Sequence, residues 1–101
     1  MRRRELDERC QRAMRRWLDS GDERTLAEAH DFGRWALHEG IGLVEMFLAL
    51  WRAARAVPDG AAAGARPEEF MHEALSPFEV ALLGAREANL ALRRLDARQE
   101  E

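Results

Sequence analysis

The segment over residues 42–56 constrains the fold most, because apolar residues occur on almost every side of the helix that it would form. The apolar positions are Leu43, Val44, Met46, Phe47, Leu48, Leu50, Trp51, Ala53 and Ala54. A helix that is hydrophobic all round must be covered on most sides. In a chain of 101 residues, a single small core can cover only part of it. The segment therefore predicts a homodimer or a permanent protein partner.

Three further segments show the helical period of apolar residues. The first covers residues 6–18, the second is capped by Asp22 or Thr25 and stops at Gly40, and the last begins at Pro67 after a loop. The composition, 47% hydrophobic and 35% charged, suits amphipathic helices with charged outer faces. We therefore expect an all-α fold, an antiparallel four-helix bundle, in a single domain over residues 1–101.

The residues around Pro77 predict a kink or a new start within the fourth helix. Proline disfavours the α conformation of the residue before it, which is Ser76. Ser76 and Glu79 also have the spacing of a capping box. We expect Ser76, Pro77 and Glu79 to form a hinge with a helix cap.

Beyond Pro77, five apolar residues recur in alternating steps of four and three, which is the spacing of a coiled coil. They are Ala81, Ala85, Ala88, Leu92 and Leu95. We expect this seam to form a dimer interface together with Phe47, Leu50 and Trp51 of the third helix. Residues 90–101 are expected to begin a coiled-coil-like linker to an effector.

Charge and apolar run lengths argue against two classes of partner. The 16 arginines are interleaved with 19 acidic residues, and the net charge is −3, so there is no basic stripe of the kind that binds nucleic acid. The longest apolar stretch, over residues 41–54, is too short and too charged to span a bilayer. No signal peptide is apparent. We expect a cytoplasmic protein without a nucleic-acid or membrane partner.

The residue types that carry chemistry are few and scattered. His30, His38 and His72 have no second His or Cys at zinc-ligand spacing. Cys10 lies on an apolar stripe and is expected in the core. A small-molecule pocket lined by His30 and Trp51 has no polar constellation to support it. We expect no catalytic site, no metal and no cofactor, and hence no enzyme.

The three tryptophans have different settings. Trp17 and Trp51 lie on apolar helix faces, for which burial is the ordinary interpretation. Trp35 lies about opposite Leu26 on the second helix, between acidic residues. Tryptophan is enriched at binding hot spots, so Trp35 is either an anchor for a partner or a residue covered on both sides within a dimer.

Two parts of the sequence together resemble a known regulatory domain. One is Phe-Met-His-Glu-Ala-Leu-Ser-Pro-Phe-Glu-Val at residues 70–80, followed by Gly-Ala-Arg-Glu-Ala-Asn-Leu-Ala-Leu-Arg-Arg-Leu-Asp at residues 84–96. The other is Ala-Glu-Ala-His-Asp-Phe-Gly-Arg-Trp-Ala-Leu-His-Glu-Gly at residues 27–40. They resemble the N-terminal domain of RsbU-type serine phosphatases, also called the KaiA/RsbU-like domain. The departures from that pattern are Trp35, Val80, Leu83 and Ala85.

The resemblance implies a non-catalytic four-helix domain that dimerises and regulates an effector. In RsbU proteins the domain binds a switch kinase of the RsbT type, which turns on a 2C-type phosphatase in stress-response and sigma-factor signalling. It implies a partner surface near Glu23, Ala27, His72 and Ser76, to which Trp35 is added as a candidate anchor. The alternatives are the signal-input and dimerisation module of a sensor histidine kinase, or a free-standing adaptor.

Overall fold

A computed structural model of the chain describes residues 2–56 and 64–100, and every regular element in these ranges is a helix. The helices are α1 (Arg2–Ser20), α2 (Glu23–His38), α3 (Leu43–Arg55) and α4 (Pro67–Glu100). The prediction of an all-α chain with four helices is therefore confirmed, and the last helix begins at Pro67 as expected. Most of the predicted loop, residues 58–63, lies outside the described residues.

The junction between α1 and α2 shows which residue caps the second helix. The backbone N–H of Thr25 donates to Asp22 Oδ1 at 2.9 Å, and the Thr25 hydroxyl donates to the Asp22 carbonyl oxygen at 2.9 Å. Asp22, and not Thr25, is therefore the N-cap. The hydrogen bonds from Thr25, first the backbone one and then the side-chain one, lower the pKa of the exposed Asp22 carboxyl below its ordinary value.

The end of α2 is a Schellman motif built on Gly40, as the sequence predicts. Gly40 has a φ of 78°, a left-handed conformation that glycine adopts without steric cost. Its N–H donates to the Leu37 carbonyl at 3.1 Å, and the Ile41 N–H donates to the Ala36 carbonyl at 3.0 Å. Ile41 is a buried core residue, so the turn also fixes where α3 starts.

One hydrophobic core is shared by all four helices. Its fully buried side chains are Leu6, Cys10, Met14, Ala29, Ala36, Met46, Leu50, Phe70 and Ala74. The predicted core position of Cys10 is confirmed: its thiol lies 3.6 Å from the Ala49 carbonyl oxygen, and burial raises the pKa of that thiol to about 12. Trp17 is buried as well, and its indole N–H donates to the Arg66 carbonyl oxygen at 2.8 Å.

The predicted restart of the helix at Pro77 is wrong, because α4 runs without interruption from Pro67 to Glu100, whereas the predicted kink stays a prediction. Ser76 lies within this helix and does not cap a new one, and Glu79 is an exposed helical residue. Pro77 and its neighbour Phe78 are both buried, so packing against the core holds the proline in helical conformation. The local preference against helix before a proline is thus overridden by tertiary contacts.

Only the first third of α4 packs into the hydrophobic core. Phe70, Ala74 and Phe78 are buried, whereas every residue from 79 to 98 is exposed. A helix of 34 residues is about 50 Å long, which accounts for the longest dimension of the molecule, 64 Å. No helix within the described ranges is long and apolar enough to cross a membrane.

Candidate interaction surfaces

The outward side of α3 carries five large apolar side chains that no other part of the described residues covers. This "α3 face" consists of Leu43, Val44, Phe47, Leu48 and Trp51, whose exposure lies between 45% and 72%. The inward side of the same helix is buried through Met46, Ala49, Leu50 and Ala53. The helix is thus apolar on both sides, and only one side is used in the fold.

Two predictions for α3 are corrected by this arrangement. Leu50 was expected in a dimer interface, but it is completely buried in the core of its own chain and cannot touch a partner. Trp51, for which burial was the ordinary interpretation, is 49% exposed and lies on the α3 face with Phe47. Leu43, Val44 and Leu48 belong to this face too, and the sequence signal that identifies them is the same all-round hydrophobicity.

The predicted seam of α4 lies entirely on its projecting part, residues 79–98, which we call distal α4. Its members are Ala81, Ala85, Ala88, Leu92 and Leu95, all exposed. Ala74 and Phe78 precede them at the same steps of four and three, so the seam continues the stripe that packs into the bundle. The helix therefore extends a core-type face into solvent.

Distal α4 is apolar on other sides as well. Val80, Leu82, Leu83 and Leu90 are 66%, 59%, 50% and 51% exposed, and none of them belongs to the predicted seam. Leu83 and Leu90 are seven residues apart and therefore lie above one another on the side away from Ala81 and Ala88. The heptad pattern alone does not identify this second stripe.

Trp35 lies in a groove between α1 and α2. It is neither fully exposed, as expected of a partner anchor, nor covered on both sides. It is half-buried against the core, and its ring stacks on Phe32 with centroids 6.0 Å apart. The guanidinium carbon of Arg9, on α1, lies 4.2 Å from the centroid of the Trp35 ring. A cation above the ring face is attracted by the ring quadrupole, so Arg9 and Trp35 hold the two helices together.

Arginines of α1 form one wall of this groove. Arg9, Arg12 and Arg16 line a cavity of about 420 Å³, with Glu28 and Asp31 of α2 on the opposite wall. Arg16 pairs with Glu28 at 2.9 Å, and Arg9 lies 3.3 Å from Glu5. The side chains of these pairs are 29% to 60% exposed, so each pair contributes only about 0.2–1 kcal/mol to stability. The sequence shows that Arg9, Arg12 and Arg16 are three and four residues apart and so share one face of α1. It does not show that this face meets α2.

Of the residues expected to bind a switch kinase, Trp35 lies apart from the other four. Glu23, Ala27 and His72 are exposed, and Ser76 is half-buried; they lie on α2 and α4, which pack together most extensively of all helix pairs. Trp35 follows Glu23 by twelve residues, which is about 18 Å along α2. Trp35 therefore belongs to the α1–α2 groove and not to the surface near Glu23.

Metal-ligand clusters and the thiol of Cys10 are the two chemical features that we compare with the sequence predictions. No group of three or more His, Cys, Asp or Glu side chains in these ranges is placed to hold a metal ion. Cys10 is enclosed in the core, and its raised pKa keeps the thiol protonated and unreactive at neutral pH.

Compared with known proteins, the chain matches no family model, no curated protein and no solved structure. The resemblance to the RsbU N-terminal domain stays a prediction from the sequence motifs. The surfaces described above are therefore the basis for assigning a function.

Proposed function

We propose that the chain is a non-catalytic dimerisation and protein-binding domain of a signalling protein. The observation that carries this proposal is the α3 face together with distal α4. These surfaces expose eleven large apolar side chains of Leu, Val, Phe and Trp. Clusters of large apolar side chains on a protein surface mark interaction sites.

A second copy of the chain is the occupant that the geometry favours. Covering the exposed half of a large side chain contributes roughly 1 kcal/mol, so two copies of the five-residue α3 face supply on the order of 10 kcal/mol. Association costs several kcal/mol in lost freedom of motion. Pairing of the distal α4 seams, with alanines that allow close approach, adds to the favourable side and supports a dimer at micromolar concentration.

The regulatory part of the proposal rests on the resemblance to RsbU-type domains. In this proposal a switch kinase of the RsbT type binds the exposed surface of α2 and α4 near Glu23, Ala27 and His72. A partner that binds one arrangement of the two α4 helices more tightly than another shifts the dimer toward that arrangement. The size of the shift is set by the difference between the two affinities. Distal α4 passes that change to a phosphatase effector.

The projecting helix equally supports a second function, as the dimerising input module of a sensor histidine kinase. A helix that leaves the bundle with a heptad seam suits the coiled-coil connection to either effector. The gene sequence after the Glu101 codon distinguishes them. A phosphatase domain there supports the first proposal, a kinase domain the second, and a stop codon the free-standing adaptor.

Sedimentation equilibrium tests the dimer. We expect the chain to sediment with twice its monomer mass at micromolar concentration, and the double variant Phe47→Glu/Trp51→Glu to sediment as a folded monomer. Gln11→Glu, on the exposed side of α1, adds a charge elsewhere and should leave the dimer intact. A monomeric wild-type chain at these concentrations would exclude the homodimer.

Partner binding is measured separately with a purified RsbT-type kinase from the same organism. Ala27→Arg places a long charged side chain on the exposed face of α2 and should weaken kinase binding about tenfold or more. Arg94→Glu, on distal α4, is the control that should bind normally. Absence of kinase binding by the wild-type dimer would exclude this partner while leaving the dimer established.

A further inference from the structure

The surroundings of Trp35 are positively charged, although the chain as a whole is negatively charged. Two cavities meet at this residue, one between α1 and α2 and one along α2. The charged side chains that line them are Arg9, Arg12, Arg16, Arg34, Glu28 and Asp31. Four arginines and two carboxylates give a formal charge of +2 at a site on a chain whose net charge is −3.

Two of these arginines have unused hydrogen-bonding capacity. Arg16 is engaged by Glu28, and Arg9 is engaged by Glu5 and the Trp35 ring. Arg12 and Arg34 are exposed and form no ion pair with the rest of the described chain. A guanidinium presents five donors in a planar fork that matches a carboxylate, so both are ready to pair with acidic groups of another molecule.

The floor of the groove is apolar, so a ligand that fits it needs an apolar side chain as well as acidic groups. Phe32 and Trp35 are stacked on each other, and Phe32 in turn lies 6.5 Å from the ring of Phe70 in the core. This fixes the Trp35 ring, so an incoming apolar side chain meets a rigid surface and little conformational entropy is lost. A ligand that fits the groove thus combines carboxylates with an apolar side chain.

We propose that the α1–α2 groove binds an acidic protein segment that carries an apolar residue. The apolar residue packs beside Trp35, and the flanking carboxylates pair with Arg12 and Arg34. A nucleic acid fits less well, because its backbone carries a charge at every nucleotide, whereas a peptide can place its apolar residue, and no charge, next to Glu28 and Asp31 in the groove wall. This surface is distinct from the α3 face, so the proposal does not depend on dimerisation.

NMR titration with a defined probe tests this proposal. The probe is the blocked peptide Asp-Glu-Leu-Phe-Glu-Asp, and its matched control is Asn-Gln-Leu-Phe-Gln-Asn, which has the same shape without the charge. The indole N–H signals report position, because Trp17 is hydrogen-bonded in the core and Trp51 lies on the α3 face. We expect the acidic peptide to shift the Trp35 indole signal saturably, and the amide peptide to bind about tenfold more weakly or worse.

Charge reversal in the groove supplies the second measurement. Arg12→Glu alters an exposed residue that forms no ion pair with another described residue, so the fold should persist, and binding of the acidic peptide should weaken about tenfold. Arg94→Glu makes the same charge change on distal α4 and should bind as the wild type does. The Phe47→Glu/Trp51→Glu variant should also bind normally, which separates this site from the dimer.

Three results would overturn the proposal. The first is equal binding of the acidic and amide peptides, and the second is undiminished binding by Arg12→Glu. The third is a shift of the Trp35 indole signal by a ten-nucleotide oligothymidylate at lower concentration than by the acidic peptide. The groove would then prefer phosphates to carboxylates.

Discussion

Gly33 of α2 lies directly against the backbone carbonyl of Ala74 in α4, and no side chain fits between them. A Cβ atom on Gly33 would overlap the Ala74 carbonyl oxygen and would lie 2.9 Å from the carbonyl carbon. Both residues are buried, and α2 and α4 form the most extensive helix contact of the chain. Gly33 thus sets the distance at which these two helices pack, and this distance positions the start of α4.

Gly33→Ala should destabilise the fold although alanine favours helix. The added methyl group meets backbone atoms that cannot rotate away, so α2 and α4 must move apart. Overpacking of this kind costs typically about 1–3 kcal/mol, which exceeds the gain in helix propensity of up to about 1 kcal/mol. Urea unfolding followed by circular dichroism, at a fixed protein concentration, measures the difference.

Gly84→Ala is the matched control for this prediction. Gly84 is an exposed residue of α4, and a Cβ atom there would meet nothing within 4 Å. The same substitution should therefore stabilise by about 0.5–1 kcal/mol through propensity alone. Equal effects of the two substitutions would contradict the close approach of Gly33 to Ala74.

Cys10 should make stability fall with rising pH in a range where no other side chain titrates. Its pKa is raised from 9.0 to about 12 by burial, followed by the effect of Asp7. Between these values the unfolded chain loses a proton that the folded chain keeps, so the free energy of unfolding should fall by up to about 1.4 kcal/mol per pH unit. The chain has no Lys and no Tyr, and arginine stays protonated.

Urea unfolding at pH 8, 9, 10 and 11 checks this slope. The variant Cys10→Ala is less stable because it leaves a cavity, but it lacks the titrating thiol and should be nearly independent of pH over this range. If the free energy of unfolding falls equally with pH in Cys10→Ala and in the wild type, the loss of stability has a cause other than Cys10.

Asp7 and Arg52 join α1 to α3 and should contribute to stability as a pair. Their side chains lie 2.8 Å apart and are only 25% and 33% exposed, and the buried Arg52 Nε has no hydrogen-bond partner among the described residues. Asp7→Ala leaves the guanidinium partly buried and unpaired, at a cost of about 1–3 kcal/mol. In a double-mutant cycle, Asp7→Ala/Arg52→Ala should cost less than the sum of the single variants; strict additivity would show that the pair is not coupled.

The parts of this fold that depend on local chemistry could be predicted from the sequence. Gly40 ends α2 because a left-handed residue is needed there, and Pro67 begins α4 because its missing N–H is no loss in the first turn. For the cap of α2, the sequence leaves the choice between Asp22 and Thr25 open, and the hydrogen bond from the Thr25 N–H to Asp22 Oδ1 decides for Asp22.

The parts that depend on which helix faces meet could not be predicted. On a helix that is apolar all round, the period cannot tell the buried Leu50 from its exposed neighbour Trp51. Trp35 is half-buried because Arg9 of α1 covers its ring, and the α1 face that meets α2 is set by the whole core. The same tertiary packing carries α4 through Pro77 against its local preference.

Replacing Pro77 should therefore stabilise the chain. Pro77 has no N–H to donate to the Glu73 carbonyl, and an interior proline costs a helix about 3 kcal/mol. Pro77→Ala restores that hydrogen bond but removes buried ring carbons worth about 1.6 kcal/mol, which leaves a net gain of about 1–2 kcal/mol. Urea unfolding measures this gain, and Ala81→Pro, which places a proline where no core packing supports it, should instead lower stability by about 3 kcal/mol. A lower stability of Pro77→Ala would show that the proline ring is a required part of the core.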